Sequence, residues 1–191
     1  MGLTKEVLFV NTDYLKHLTT LSGTVNDDYI VSSVILSQDK YIQQYLGTDL
    51  YEKIKDEIVT VTPAPDPVYI ALLDNYIRKA TAWWAMVELI PNLYVQLDNG
   101  GLVIRSADNT AQISQDDLHR EIERARQNAQ FYTSRMIAYL CANASTFPEY
   151  SSNTYPDMYP ERSVYYQNGL SVSTGADGNL RYNRMPNTWW R

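Results

Sequence analysis

Asp116, Asp117 and His119 place two carboxylates and an imidazole within one turn of chain, a set that could hold a metal ion or exchange protons. Asp13, Tyr14 and His17 form a second such grouping. Neither has the spacing of a metal motif. Acids just after Ser114 are also what the dipole of a helix N-terminus favours, so both histidines read as surface helix positions. Cys141, in the apolar run IAYLCAN, reads as a packed thiol rather than a nucleophile. Asp98-Asn99-Gly100-Gly101 is turn chemistry and lacks the strand-to-helix context of a phosphate cradle. Asn143-Ala144-Ser145 fits a glycosylation sequon, which carries no weight without a secretory signal, and residues 1–10 contain no apolar run of that kind. No nucleophile, base and orienting group come together, so no enzyme, metal or cofactor is expected.

Composition points the same way. The chain has 191 residues, with 16 Lys plus Arg against 22 Asp plus Glu, a formal net charge of −6. Coating nucleic acid needs a surplus of cations, which this chain lacks. One cysteine excludes an internal disulfide framework and a multi-cysteine zinc site. No stretch approaches the ~20 apolar residues of a membrane span. Tyrosine is the unusual residue, with 16 against 3 Phe.

The elements follow from caps and periodicity. Asn11 precedes a short helix ending near Gly23, and Asn26 caps a longer one closed by Gly47. Its stripe Val31, Val34, Ile35, Tyr41, Ile42, Tyr45 is interrupted by Gln38, which reads as a buried amide bonded to loop backbone or as a partner contact. Leu50, Ile54 and Ile58 mark a third helix, and the proline-rich 60–67 a connector. From Pro67 an enclosed helix, including Trp83 and Trp84, is expected to stop at Pro91. Residues 93–105 switch to period two around Asn99-Gly100, which predicts a hairpin pairing Leu97 with Leu102 and Val95 with Ile104. Ser114 opens the last helix, whose seam Leu118, Ile122, Ala125, Ala129, Tyr132, Met136, Leu140 would run roughly 40 Å.

Residues 147–191 change character, with four Pro, six Tyr, two Trp and few aliphatics. They offer no stripe to bury, and they are too aromatic for a disordered spacer. The expectation is therefore a mainly α fold, a small helical bundle with one β-hairpin insertion and an extended C-terminal arm. Residues 1–146 form the body with the hairpin at 93–105, and 147–191 form the arm. The arm is expected to bind outside its own body through Tyr155, Tyr159, Tyr165, Tyr166, Arg184, Trp189 and Trp190. The hairpin would contribute Tyr94, Asn99, Gly100 and Val103 to a partner interface.

The run Asp39-Lys40-Tyr41-Ile42-Gln43-Gln44-Tyr45-Leu46-Gly47, followed at once by Thr48-Asp49-Leu50-Tyr51-Glu52-Lys53-Ile54, resembles the phage head–tail connector (adaptor) proteins. Asn99 to Ile104 and Phe131 to Leu140 look like the ring proteins of crAss-like phages. The resemblance implies a structural subunit of a homo-oligomeric, twelvefold ring below the portal. It implies contacts to the portal and to the next tail or ring protein, with DNA passing through the lumen without specific binding. The place would be the virion neck, and the host cytoplasm during assembly. An acidic wall suits a channel in which DNA must slide. A tail-completion or ejected cargo protein of the virion, or a small helical enzyme, remains open at this point.

Overall fold

The structure, a computed structural model, describes residues 6–98, 101–104, 114–152, 154 and 157–164. It is mainly helical. The helices are α1 (Thr12–Leu18), α2 (Asp27–Ser37), α3 (Gln43–Leu46), α4 (Thr48–Val59), α5 (Pro67–Leu72), α6 (Arg78–Tyr94) and α7 (Gln115–Ala142). Four of them start on a side-chain cap: Asn11, Asn26, Asp66 and Ser114 each accept a backbone N–H from the first turn, as an N-cap should.

Helix α6 is the centre. It packs on α7 along one side and α2 on the other, and buries Ala80, Ala82, Trp84, Ala85 and Leu89. Facing it, α7 buries Ala125, Ala129, Met136 and Leu140, four residues of the seam read from its spacing. The alanines on both helices let the two backbones approach closely. Each fully buried leucine or isoleucine around them contributes about 1.5–3 kcal/mol.

Two π-helical stretches interrupt the regular turns, Gln38–Ile42 between α2 and α3 and Leu73–Ile77 between α5 and α6. The first has a visible consequence. Gln38 is fully buried; its Oε1 accepts the Phe9 N–H at 2.7 Å and its Nε2 donates to the Val7 carbonyl at 3.0 Å. Arg78 Nε adds a bond to the Phe9 carbonyl at 3.0 Å. The N-terminal segment is thereby sewn to the body, with Phe9 and Val10 both inside the core.

Strands β1 (Val95–Asp98) and β2 (Gly101–Ile104) follow α6 and pair antiparallel, Val95 opposite Ile104 and Leu97 opposite Leu102. Three expectations need correction. Pro91 does not end α6: the helix makes a further turn to Tyr94, and the Val95 N–H bonds the Pro91 carbonyl. A proline in the last turn forfeits one bond but leaves later N–H groups free to close the helix. Cys141 is exposed rather than packed.

The third correction concerns the boundary at 147. Phe147 and Tyr150 are fully buried and Pro160 is buried, so this stretch belongs to the body rather than to an external arm. Phe147 packs edge-on against Tyr69, and the Tyr69 hydroxyl donates to Glu149 at 2.7 Å. No periodic stripe marks the segment because isolated aromatic and proline side chains, not a helix face, make its contacts.

Candidate interaction surface

The returning chain crosses the junction of α3 and α4. Gly47 closes α3 at φ +75°, ψ 158°, a backbone conformation that side-chain-bearing residues rarely adopt. α4 begins at once, so its first N–H groups need partners from elsewhere. Residues 157–161 supply one for the first of them and bind the junction at three further points. The Thr48 N–H donates to the Met158 carbonyl at 3.1 Å, and the Thr48 hydroxyl donates to Asp157 at 2.8 Å. The Met158 N–H returns a bond to Thr48 Oγ1 at 3.2 Å, and the Glu161 N–H bonds the Gln44 carbonyl at 2.8 Å. Asp49 accepts from Ser152 and Thr154 at 2.6 and 2.9 Å. Asp49 and Asp157 also put negative charge at the positive end of α4.

Beside this strap lies a cavity of about 340 Å³ walled by Lys40, Gln44, Trp84, Arg126, Gln130 and Glu161, among others. Tyr41 stacks on Trp84 with ring centroids 4.0 Å apart and planes 10° from parallel. Trp84 Nε1 donates to Thr133 at 3.0 Å, which fixes the indole. Glu88 accepts from Lys40 at 2.8 Å and from the Tyr41 hydroxyl at 2.5 Å. Burial alone would raise the Glu88 carboxyl, but these two bonds outweigh it and hold the group below its ordinary range. Burial, reinforced by Glu88, raises the Tyr41 hydroxyl, and the Glu88 bond raises Lys40. The charges cancel locally, so this is a locked pair rather than a poised acid or base.

The histidines do not join any such set. His17 and His119 are exposed on α1 and α7, and among the described residues no group of three or more His, Cys, Asp or Glu could hold a metal ion. No described helix is long and apolar enough to cross a membrane.

Of the residues expected at a partner interface, Tyr94 is half-buried in the last turn of α6, and Val103 lies opposite Gln96 in β2. Tyr159 is 52% exposed, and its hydroxyl reaches the Ser151 carbonyl at 3.3 Å. Asn99, Gly100, Tyr155, Tyr165, Tyr166, Arg184, Trp189 and Trp190 lie outside the described residues. What sequence reasoning missed is the strap itself: Asp157, Pro160 and Glu161 stand more than a hundred residues from the helix junction they seal, and nothing local announces the contact.

Residues 42–159, more than half of the chain, match a family of unknown function, DUF6712, and the chain belongs to that family. No curated protein and no solved structure matches it.

Proposed function

We propose that the protein is a structural subunit of a phage head–tail connector ring that docks below the portal and lines part of the DNA channel. The observation that carries this reading is the hairpin. Beyond its own pairing, its main contact with the body is the end of α6 that leads into it. A two-stranded ribbon is marginal in water, and among the described residues no further strand pairs with either of its outer edges. Such a ribbon is completed by another surface, and a neighbouring copy supplies one at every position of a ring. The resemblance of residues 39–54 to connector proteins gives the assembly its kind, and the net charge of −6 suits a lumen that must not grip DNA.

Native mass spectrometry and negative-stain imaging of the full chain over rising concentration test the proposal. The expected result is a closed multi-copy ring. The double substitution Asn99→Val with Gly100→Val, which removes the residues a type I′ turn needs, should leave helical circular dichroism intact and yield single chains. A wild-type chain that keeps the mass of one copy at every concentration overturns the reading.

A further inference from the structure

The helices carry most of their cations in one way. Lys53, Lys55, Arg78, Arg120, Arg124 and Arg126 each meet an acid three or four residues away, the spacing that makes neighbours on a helix face. Two cations break this pattern. The residues three and four away from Lys79 are Asn75, Tyr76, Ala82 and Trp83, and those around Arg135 are Phe131, Tyr132, Ala138 and Tyr139. Asp74, the acid nearest to Lys79 along the chain, is bonded to Arg78. The fold brings these two exceptions together. Lys79 from the first turn of α6 and Arg135 from α7 line one pocket of about 180 Å³, with Asn75, Tyr76 and Tyr132 as its other walls.

We propose that this pocket binds a doubly charged phosphate group, either the free ion or the monoester end of a small molecule. The inference stands apart from the ring reading. No carboxylate lines the pocket, and neither cation forms an ion pair with a described residue. Two positive charges therefore stand uncompensated in a chain whose formal total is −6. A phosphate monoester carries about −1.5 to −2 near pH 7 and balances them, whereas a single carboxylate leaves one charge over. Donor chemistry agrees. All five side chains can donate a hydrogen bond, and none of them is hydrogen-bonded to a described residue. Arginine, lysine, asparagine and tyrosine are all side chains that phosphate oxygens take as donors.

Ring contacts hold the walls, which leaves the polar ends to a ligand. Tyr76 stacks on Tyr139 with centroids 4.3 Å apart and planes 17° from parallel. Tyr132 meets Phe131 edge-on at 5.3 Å, and the Arg135 guanidinium lies 5.8 Å from the centre of the same Phe131 ring. At ~30 Å³ per water the pocket admits roughly six waters, and so a tetrahedral oxyanion that keeps some of its own. The cavity beside the strap offers no such site. There Lys40 is taken by Glu88 and Arg126 by Glu123, and Glu161 adds a carboxylate to the wall.

Isothermal titration of the full chain with inorganic phosphate, methyl phosphate and acetate, at constant ionic strength, tests the site. The expected result is saturable binding of one phosphate per chain, with acetate markedly weaker. Lys79→Gln and Arg135→Gln should each weaken phosphate about tenfold, the effect of one charge-assisted bond. Both should keep their helical circular dichroism, because Lys79 is half-buried and Arg135 exposed. Tyr132→Phe keeps the ring contacts and removes one donor, so it should weaken binding by a smaller factor. Arg120→Gln plus Arg124→Gln removes two positive charges from α7 outside the pocket and should leave the affinity within about twofold, since salt screens distant exposed charges. Methyl phosphate binding at least as tightly as inorganic phosphate assigns the site to a monoester, and weaker binding assigns it to the free ion. No saturable phosphate binding, equal affinity for acetate, unchanged affinity in the Lys79 and Arg135 variants, or an equal loss in the Arg120 and Arg124 pair each overturn the inference.

Discussion

Pro160 seals Gly47: a Cβ added at Gly47 would stand 2.7 Å from the Pro160 Cδ and 3.1 Å from its nitrogen. Two constraints therefore meet at one residue. The positive φ lets α3 end and α4 begin without an intervening loop, and the missing side chain lets the returning strap lie flat on the turn. The 110-odd residues between them are tied into one body by this contact and the bonds around Thr48.

Gly47→Ala should then cost about 1–3 kcal/mol from backbone strain, with the clash added to it. Urea unfolding of the purified chain measures the loss. Adding Pro160→Ala should recover the part due to the ring carbons, but not the part due to φ or to the backbone nitrogen that stays at 3.1 Å. Full additivity of the two substitutions would show that strap and turn do not touch.

Deletion separates body from extension. A chain ending at Thr146 loses Phe147 and Tyr150, both fully buried, and truncating a large buried aromatic costs about 3–5 kcal/mol. It should melt far below wild type or fail to fold. A chain ending at Val164 keeps every described contact and should unfold cooperatively within about 2–4 °C of wild type, the shift about 1 kcal/mol produces at this size. Equal melting of the two shortened chains would place the strap outside the fold.

The helices were legible because caps and 3.6-residue periods are local properties: Asn11, Asn26 and Ser114 each announce a start that the backbone then uses. The α7 seam was legible for the same reason. Burial of Phe9, Phe147 and Pro160 was not, since each is a single residue whose partners lie far along the chain: the Gln38 and Arg78 side chains for the Phe9 backbone, the Tyr69 ring for Phe147 and Gly47 for Pro160. Lys40 and Glu88 meet across 48 residues, and their pairing depends on how the π-helical stretch Gln38–Ile42 packs on α6, which no window of sequence contains. The reading of Gln38 succeeded halfway: an amide in an apolar stripe demands partners, but only the structure shows Val7 and Phe9 as the partners.

Gln38→Leu keeps the volume and removes the bonds. The Phe9 N–H and the Val7 carbonyl lose their partner, at about 1–3 kcal/mol for each group left buried and unpaired. Hydrogen exchange at Phe9 should accelerate well before global unfolding, because the N-terminal segment is released first. Gln38→Glu is the sharper variant: its carboxylate still accepts from Phe9 but cannot donate to Val7, so the loss should be larger above the carboxyl's own titration range than below it.

Glu88 gives the fold a dependence on acid with a definite sign. Its carboxyl titrates below the ordinary value because the bonds from Lys40 and Tyr41 outweigh the cost of burial. A carboxylate lowered in this way binds fewer protons folded than unfolded, so its stabilisation is complete above the unfolded value, about pH 4.3, and disappears as pH falls through the folded one. Glu57, held low by Lys53 and by the Asp66 N–H, adds to the same acid limb, so the effect must be read as a difference between variants. Unfolding free energy measured from pH 6 to pH 3 should fall less steeply for Glu88→Gln than for wild type, with the two curves converging at the acid end. Lys40→Met should flatten the limb as well, since it removes a group that holds the carboxyl down. Its stability at pH 6 should drop too, because the Tyr41 hydroxyl is then the remaining hydrogen-bond donor to a carboxylate only 19% exposed. Parallel curves for wild type and Glu88→Gln across the whole range would mean that the pair contributes nothing to the acid limb.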